Sequence, residues 1–134
     1  MDPLAGSMAA AASGMRAQAA RLRLSSENIA NADTPGYRRK LVSFEEVAGA
    51  QMAGRGEARA VATGPVRLDQ TRPERVYDPA HPLAGVDGYY DGSNVDLVVE
   101  IADAREANRS YEANLRLFDQ ARQMTGSLLD LIRR

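Results

Sequence analysis

The chain has 134 residues and a nearly balanced charge, with 17 Lys+Arg against 18 Asp+Glu and a formal net charge of −1. Because the balance holds along the chain, it offers no concentrated basic surface of the kind that nucleic acid or an anionic membrane requires. The absence of cysteine excludes disulfides, thiolate chemistry and Cys-ligated zinc. With no Trp and two Phe, the chain has few large side chains for a deep core. We therefore expect its stability to be shared with neighbouring molecules.

Residues 1–34 form the first of three regions, and within it residues 1–32 predict an amphipathic helix. Ten alanines between Ala5 and Ala32 favour helix and allow close backbone approach. Ser13, Gly14 and Arg16 interrupt the Met/Ala stretch, so we expect no secretory signal peptide. Small and polar residues occupy much of the heptad-like series, which makes its apolar face weak: Met1, Leu4, Met8, Ala11, Met15, Gln18, Leu22, Ser25, Ile29.

Residues 28–37 read Asn-Ile-Ala-Asn-Ala-Asp-Thr-Pro-Gly-Tyr and predict the end of this helix. Asn and Asp side chains can bond their own backbone, and Pro35-Gly36 suits the central positions of a type II turn. On residue type alone, an ordinary helix end and loop explains the decapeptide as well as a functional segment does.

Residues 35–93 form a middle region of loops and short strands. Extended pieces are expected at 41–44, 59–62, 66–68 and 75–77, with Gly64-Pro65 linking the second and third of them. We expect a mobile loop at 49–57. Arg38-Arg39-Lys40 is the one basic cluster, interpreted as a solvated strand start, with a contact to an acidic patch on a partner as the alternative.

His81 is the only histidine, and it stands between Pro79 and Pro82. A general base needs a partner and a metal needs several ligands, and the local sequence supplies little of either. GxGxxG, P-loop, HExxH and GxSxG motifs do not occur. We therefore expect no catalysis, cofactor, metal or small-molecule substrate. A small enzyme that uses His81 is retained as a weaker alternative.

Residues 94–134 predict one long helix, opened by Asn94 as N-cap with Asp96 and Glu100 in its first turns. No proline interrupts it, and apolar or small residues recur every three or four positions: Leu97, Ile101, Ala104, Ala107, Tyr111, Leu115, Phe118, Ala121, Thr125, Leu128, Ile132. A helix of about 38 residues spans roughly 57 Å at 1.5 Å per residue. Such a helix does not fit inside a compact globule of this size, so the chain must be elongated.

The natural cover for this stripe is the N-terminal helix. We therefore expect a mainly α fold, an elongated, coiled-coil-like pair of terminal helices with a small, irregular, partly β middle segment. Arg109, Tyr111 and Asn114 place polar groups beside the stripe, and an Asn at a seam position fixes register through a buried hydrogen bond. The alternative is that these residues belong to ordinary helix surface.

Two segments resemble known signatures at the two ends of one protein family. Residues 28–32 with 34–37 resemble the N-terminal signature of the flagellar rod, hook and hook-associated proteins, and residues 106–115 resemble its C-terminal signature. Residues 37–44, 77–82, and 88–89 leading into 94–96 are similar to the short proximal-rod members. Asp91-Gly92-Ser93 departs from the family pattern, in which a Tyr-Pro pair is common before the Asn-Val-Asp run.

The resemblance implies a structural subunit of the proximal rod of the flagellar basal body, needed for motility. Such subunits form a helical tube through their terminal helices, and the tube transmits torque and encloses the export channel. It implies as partners further copies of the chain, other rod proteins, the rod-base adaptor, the membrane-ring protein and the flagellar type III export apparatus. The implied location is the periplasmic rod, reached without a cleaved signal peptide.

The resemblance and the helical phase together give a predicted assembly interface. Tyr111, Leu115 and Phe118 are expected at the inter-helix seam. The polar members are expected to form contacts at that seam or at subunit boundaries, and they are Asn28, Asn31, Arg109 and Asn114. The full set is Asn28, Ile29, Asn31, Tyr37, Arg109, Tyr111, Asn114, Leu115 and Phe118. The main alternative is another helical assembly protein, such as a type III secretion needle or adaptor subunit, which leaves the two signatures unexplained.

Overall fold

The structure, a computed structural model, describes residues 3–47 and 60–134. Two helices enclose four strands in sequence: α1 Pro3–Ala30, β1 Lys40–Val47, β2 Ala60–Leu68, β3 Arg75–Tyr77, β4 Tyr89–Asp91 and α2 Leu97–Arg133. The predicted fold class, two long terminal helices with a small β middle segment, is confirmed. The loop expected at 49–57 lies outside the described residues. Neither described helix has the apolar length that a membrane span requires.

α1 and α2 pack antiparallel along a seam of small side chains. The buried hydrophobic residues of the described chain are four alanines and one leucine: Ala11, Ala17, Leu24, Ala107 and Ala121. Midway along the seam, a Cβ added to Gly14 would lie 2.8 Å from Asn114 Nδ2. The helices therefore approach closely, and glycine at position 14 leaves the space that the Asn114 amide occupies.

The face of α2 that lies on α1 includes Ala107 and Ala121 of the predicted stripe, but several larger members of that stripe are not buried in it. The buried positions of α2 are Glu100, Ala107 and Ala121, whereas Ile101 is 45% exposed and Leu115 is 41% exposed. A small residue brings the two backbones closer than a large one, so the alanine face of α2 lies innermost. The larger side chains of the stripe then lie at the rim of the seam.

The N-cap of α2 is Asp96, so the expectation that Asn94 caps the helix is wrong. The Asp96 side chain accepts hydrogen bonds from Val98 N at 2.9 Å and from Val99 N at 3.4 Å. Asn94 instead ties three loop segments together. Its Oδ1 accepts from Arg39 N at 2.6 Å, and its Nδ2 donates at 3.1 Å to the carbonyl oxygens of residues 69 and 71.

β1 and β2 form an antiparallel hairpin that packs on α1. The pairs Val42–Val66 and Phe44–Thr63 leave Gly64 and Pro65 opposite a single residue of β1, which is a β-bulge. The prediction that Gly64-Pro65 links two strands is therefore wrong. A bulge accommodates proline, which lacks the N–H that a regular ladder position donates.

β3 and β4 pair antiparallel and form a second, separate two-stranded sheet. The loop between them contains His81, whose ring stacks on Tyr90 with centroids 3.9 Å apart. His81 Nδ1 also accepts a hydrogen bond from Leu83 N at 3.1 Å. Within the described residues no group of three His, Cys, Asp or Glu side chains could hold a metal ion. His81 thus has a structural role in this loop.

We predict that Gly14→Leu destabilises the helix pair by about 1–3 kcal/mol, because the added side chain overpacks the seam against Asn114. The matched control is Gly6→Leu on the same helix, where an added Cβ meets nothing within 4 Å. That variant is expected to gain about 0.5–1 kcal/mol from helix propensity. The measurement is helical content across a urea titration. Equal midpoints for the two variants would contradict the close approach at Gly14.

Candidate assembly interface

The side chain of Asn28 joins the end of α1 to the start of β1. It is 1% exposed, and its Oδ1 accepts hydrogen bonds from Lys40 N at 2.9 Å and from the Tyr37 hydroxyl at 3.0 Å. Its Nδ2 donates to the Lys40 carbonyl at 3.0 Å. Asn28 thus pairs with both backbone groups of one strand residue, as a neighbouring strand would. Burial raises the pKa of Tyr37 above its ordinary value, although nearby Lys40 acts to lower it.

The turn that follows α1 brings Tyr37 back to Asn28. Asn31 Nδ2 donates to the Glu27 carbonyl at 2.8 Å, and its Oδ1 accepts from the Thr34 hydroxyl at 3.1 Å. Tyr37 N donates to the Thr34 carbonyl across Gly36, whose φ is 74°, the value that the third residue of a type II turn requires. The predicted turn is therefore confirmed. Asn31 acts within this turn.

Arg39 lies in a cluster of charges between β1 and α2. Its guanidinium forms an ion pair with Glu100, donates to Asp103 Oδ2 at 2.8 Å, and lies 3.9 Å from Asp69. The Glu100 side chain is 1% exposed and that of Arg39 is 17% exposed. Burial acts to lower the pKa of Arg39, but the hydrogen bond and charge of Glu100 outweigh it and raise that pKa.

Two neighbours extend this charge cluster. Arg21 of α1 lies 3.2 Å from the Asp103 carboxylate, so Asp103 is shared between two guanidinium groups. Hydrogen bonds from the Thr71 hydroxyl and backbone N–H lower the pKa of Asp69 below its ordinary value, and the charge of nearby Arg39 lowers that pKa further. A buried carboxylate requires such partners, because an unpaired charge away from water is strongly unfavourable.

The basic cluster of residues 38–40 is therefore occupied within the chain. Lys40 Nζ lies 3.0 Å from Glu27, and Arg39 is largely buried against α2. The expectation of a solvated strand start is wrong for Arg39, and its acidic partners are on its own chain. The sequence indicates Glu100 only as a favourable charge at the helix start, because a pairing across 61 positions leaves no local signal.

The predicted interface residues of α2 differ in how far they are buried against α1. Asn114 faces α1 beside Gly14, and its Nδ2 donates to the Ser110 carbonyl at 3.0 Å. Phe118 is half-buried, Tyr111 and Leu115 lie at the rim, and Arg109 is exposed. On α1, Ile29 is also exposed. The structure thus brings Asn28, Asn31 and Tyr37 together, and it leaves Ile29, Arg109, Tyr111 and Leu115 open to a neighbour.

A groove of about 590 Å³ runs between the helix pair and the β1–β2 hairpin. Apolar side chains from all three elements line it: Leu4, Phe44, Val61, Leu117 and Met124. The hairpin is held at this groove by Val61 N, which donates to the Ser13 hydroxyl at 3.0 Å. Gln18 also lines it, with a buried Oε1 that has no hydrogen-bond partner among the described residues. The sequence places Gln18 on the helix face, but the hairpin's approach to it has no sequence signal.

Large apolar side chains remain exposed along much of α2. The set contrasts with the alanine-rich core, and its members are Leu97, Val98, Val99, Ile101, Leu115, Leu117, Met124, Leu128, Leu129, Leu131 and Ile132. The number of large apolar side chains left uncovered on one helix makes α2 a candidate for contacts with other molecules. The helix pair therefore has the character of an interface.

Comparison with known proteins gives consistent matches at both ends of the chain. Residues 8–38 match the family model described as "Flagella basal body rod protein", and residues 86–131 match "Flagellar basal body rod FlgEFG protein C-terminal". The chain is 41% identical to flagellar basal-body rod protein FlgC of Agrobacterium fabrum, over 99% of this chain and 98% of that protein. FlgC of Bacillus subtilis is 33% identical over 93% and 95%, and FlgC of Salmonella typhimurium is 34% identical over 90% and 92%.

We predict that Asn28→Ala loosens the start of β1 by about 1–3 kcal/mol, because it leaves the partly buried N–H and C=O of Lys40 without their Asn28 partners. The control is Asn31→Ala, which removes contacts only within the turn and is expected to change little beyond it. Hydrogen exchange of the amides of residues 37–44 measures the difference. Unchanged exchange in Asn28→Ala would show that other contacts hold β1.

Proposed function

Since the chain belongs to the FlgC family of flagellar basal-body rod proteins, and is therefore a structural rod subunit rather than an enzyme, we propose that its helix pair polymerises into the wall of a helical tube. The tube encloses the export channel and transmits torque through the periplasm, which makes the protein necessary for motility. Its neighbours are further copies of the chain, other rod proteins, the rod-base adaptor and the membrane-ring protein. The flagellar type III export apparatus delivers it.

The contrast between core and surface carries this proposal. Leu24 is the one large side chain among the buried hydrophobic residues of the described chain. Burying a leucine fully contributes only about 1.5–3 kcal/mol, and alanines contribute less, so the pair gains little stability from its own seam. Most of the apolar surface that could stabilise it lies outside. Stacked copies would cover that surface, and each subunit would supply both a stripe and its cover.

The predicted interface residues take two roles in this proposal. Ile29, Arg109, Tyr111 and Leu115 contact neighbouring subunits directly, because their side chains are exposed on the helix pair. Asn28 acts indirectly. It is buried within its own chain, and it fixes the orientation in which the β1–β2 hairpin contacts neighbouring subunits. The ion pair of Arg39 with Glu100 supports the same angle from α2.

We predict that Leu115→Asp prevents incorporation into the rod and abolishes swimming, because burying an unpaired carboxylate at a subunit contact costs several kcal/mol. Gln123→Asp introduces the same charge at another exposed position of α2 and is expected to assemble. The measurements are recovery of the protein in purified basal bodies and spreading in soft agar. Normal incorporation of Leu115→Asp would remove Leu115 from the interface.

We also predict that α1 and α2 are only marginally ordered in the dilute single chain and become ordered on assembly. The physical reason is the small buried seam, which leaves the helices close to balance with their unfolded forms. Hydrogen exchange should be slowed at least about tenfold in assembled rods, a factor that corresponds to 1.4 kcal/mol. Equal protection of both helices in the dilute and assembled states would contradict coupling of order to assembly.

A further inference from the structure

α2 extends beyond α1 at one end of the helix pair. Arg21 lies 3.2 Å from Asp103, and a Cβ on Gly14 would lie 2.8 Å from Asn114 Nδ2, which sets the antiparallel register. Continued to Pro3, this register reaches about Thr125, so roughly 12 Å of helix at 1.5 Å per residue projects past the first described residue of α1. We refer to residues 126–134 as the α2 tail.

The apolar face of the α2 tail continues the seam that α2 makes with α1. Ala121 is buried and Thr125 is half-buried against α1, and one and two turns further on Leu128 is 51% exposed and Ile132 is 81% exposed. The same face is thus covered along α1 and uncovered beyond it. Arg133 and Arg134 end the tail, and neither forms an ion pair with any described residue.

The opposite end of the helix pair carries a recess of about 590 Å³, between the end of α1, the start of α2 and the β3–β4 sheet. We call it the acidic recess. Its described lining contains no basic side chain; the apolar members are Val76, Tyr90, Val95 and Leu97, and the acidic ones are Asp33, Glu74 and Asp96. Asp33 and Glu74 are exposed, and no ion pair among the described residues includes them.

We infer that the α2 tail of one copy docks in the acidic recess of a second copy. The apolar face of the tail meets the apolar lining, and Arg133 and Arg134 meet Asp33 and Glu74. A chain cannot fill its own recess, because the two sites lie at opposite ends of a helix pair about 40 Å long, from 1.5 Å per residue. A head-to-tail contact of this kind is heterologous, and it generates an open filament where the rotation between copies does not close a ring. The inference rests on the proposed rod function and specifies one contact within it.

Charge reversal with rescue tests the contact. Arg133→Glu/Arg134→Glu places acid against acid, and Asp33→Arg/Glu74→Arg places base against base. Each double variant is expected to weaken self-association of the purified full chain by about tenfold in sedimentation. The quadruple variant, which combines all four substitutions, is expected to restore it. Asp96 is left unchanged because it caps α2. A quadruple variant that self-associates as weakly as the double variants would overturn the pairing of Arg133 and Arg134 with Asp33 and Glu74.

Cross-linking tests the geometry independently, since the chain contains no natural cysteine. A chain carrying both Arg133→Cys and Asp33→Cys, treated with a short bismaleimide, should give a ladder of dimers, trimers and longer products. Gln123→Cys with Asp33→Cys is the matched control and should give none. Products that stop at the dimer, or a ladder in the control, would overturn head-to-tail docking.

Recovery in basal bodies distinguishes a failure of the proposed rod function from a failure of the docking contact alone. If the wild-type chain is absent from purified basal bodies, the proposed rod function itself fails. If the wild-type chain is present, and the reversed variants incorporate and self-associate as it does, only the docking of the tail in the acidic recess is overturned.

Discussion

The close approach of α1 and α2 constrains the rest of the molecule. Gly14 and the buried alanines allow two long helices to lie side by side, but they bury little apolar surface. The larger side chains of α2 are consequently displaced to the rim or left uncovered. A seam that is geometrically specific and energetically weak fits the proposed subunit, whose helices would become ordered as contacts with neighbours are added.

Polar contacts supply the specificity that this thin core cannot. Asn28 fixes the first residue of β1 through both of its backbone groups, and Arg39 reaches Glu100 and Asp103 on α2. Asn28 and Arg39 both find partners in a different element, so the hairpin is held at one orientation on the helix pair. In the proposed assembly, the exposed apolar surface on the helices and the fixed hairpin angle would together define how a neighbouring subunit approaches.

Several features of the fold and interface could be read from the sequence because their causes are local. The two helices, the Thr34–Tyr37 turn and the strand at 75–77 follow from periodicity, propensity and the φ that Gly36 provides. The signatures at residues 28–37 and 106–115 led to the family that the relatives show. Asn28 and Asn114 were singled out with them, although their partners could not be named.

Composition and periodicity thus determined that this chain is an elongated helix pair with a small β middle segment, and they predicted that other subunits cover part of it. Tertiary structure alone decided which members of the predicted stripe lie innermost, since Ala107 and Ala121 are buried whereas Leu115 is 41% exposed. A stripe of period 3.6 is about 100° wide, so the pattern cannot distinguish which of its members lie innermost; the closest backbone approach does. The pairing of Arg39 with Glu100, 61 positions away, is likewise created only when the chain folds back on itself, because nothing local encodes a distant partner.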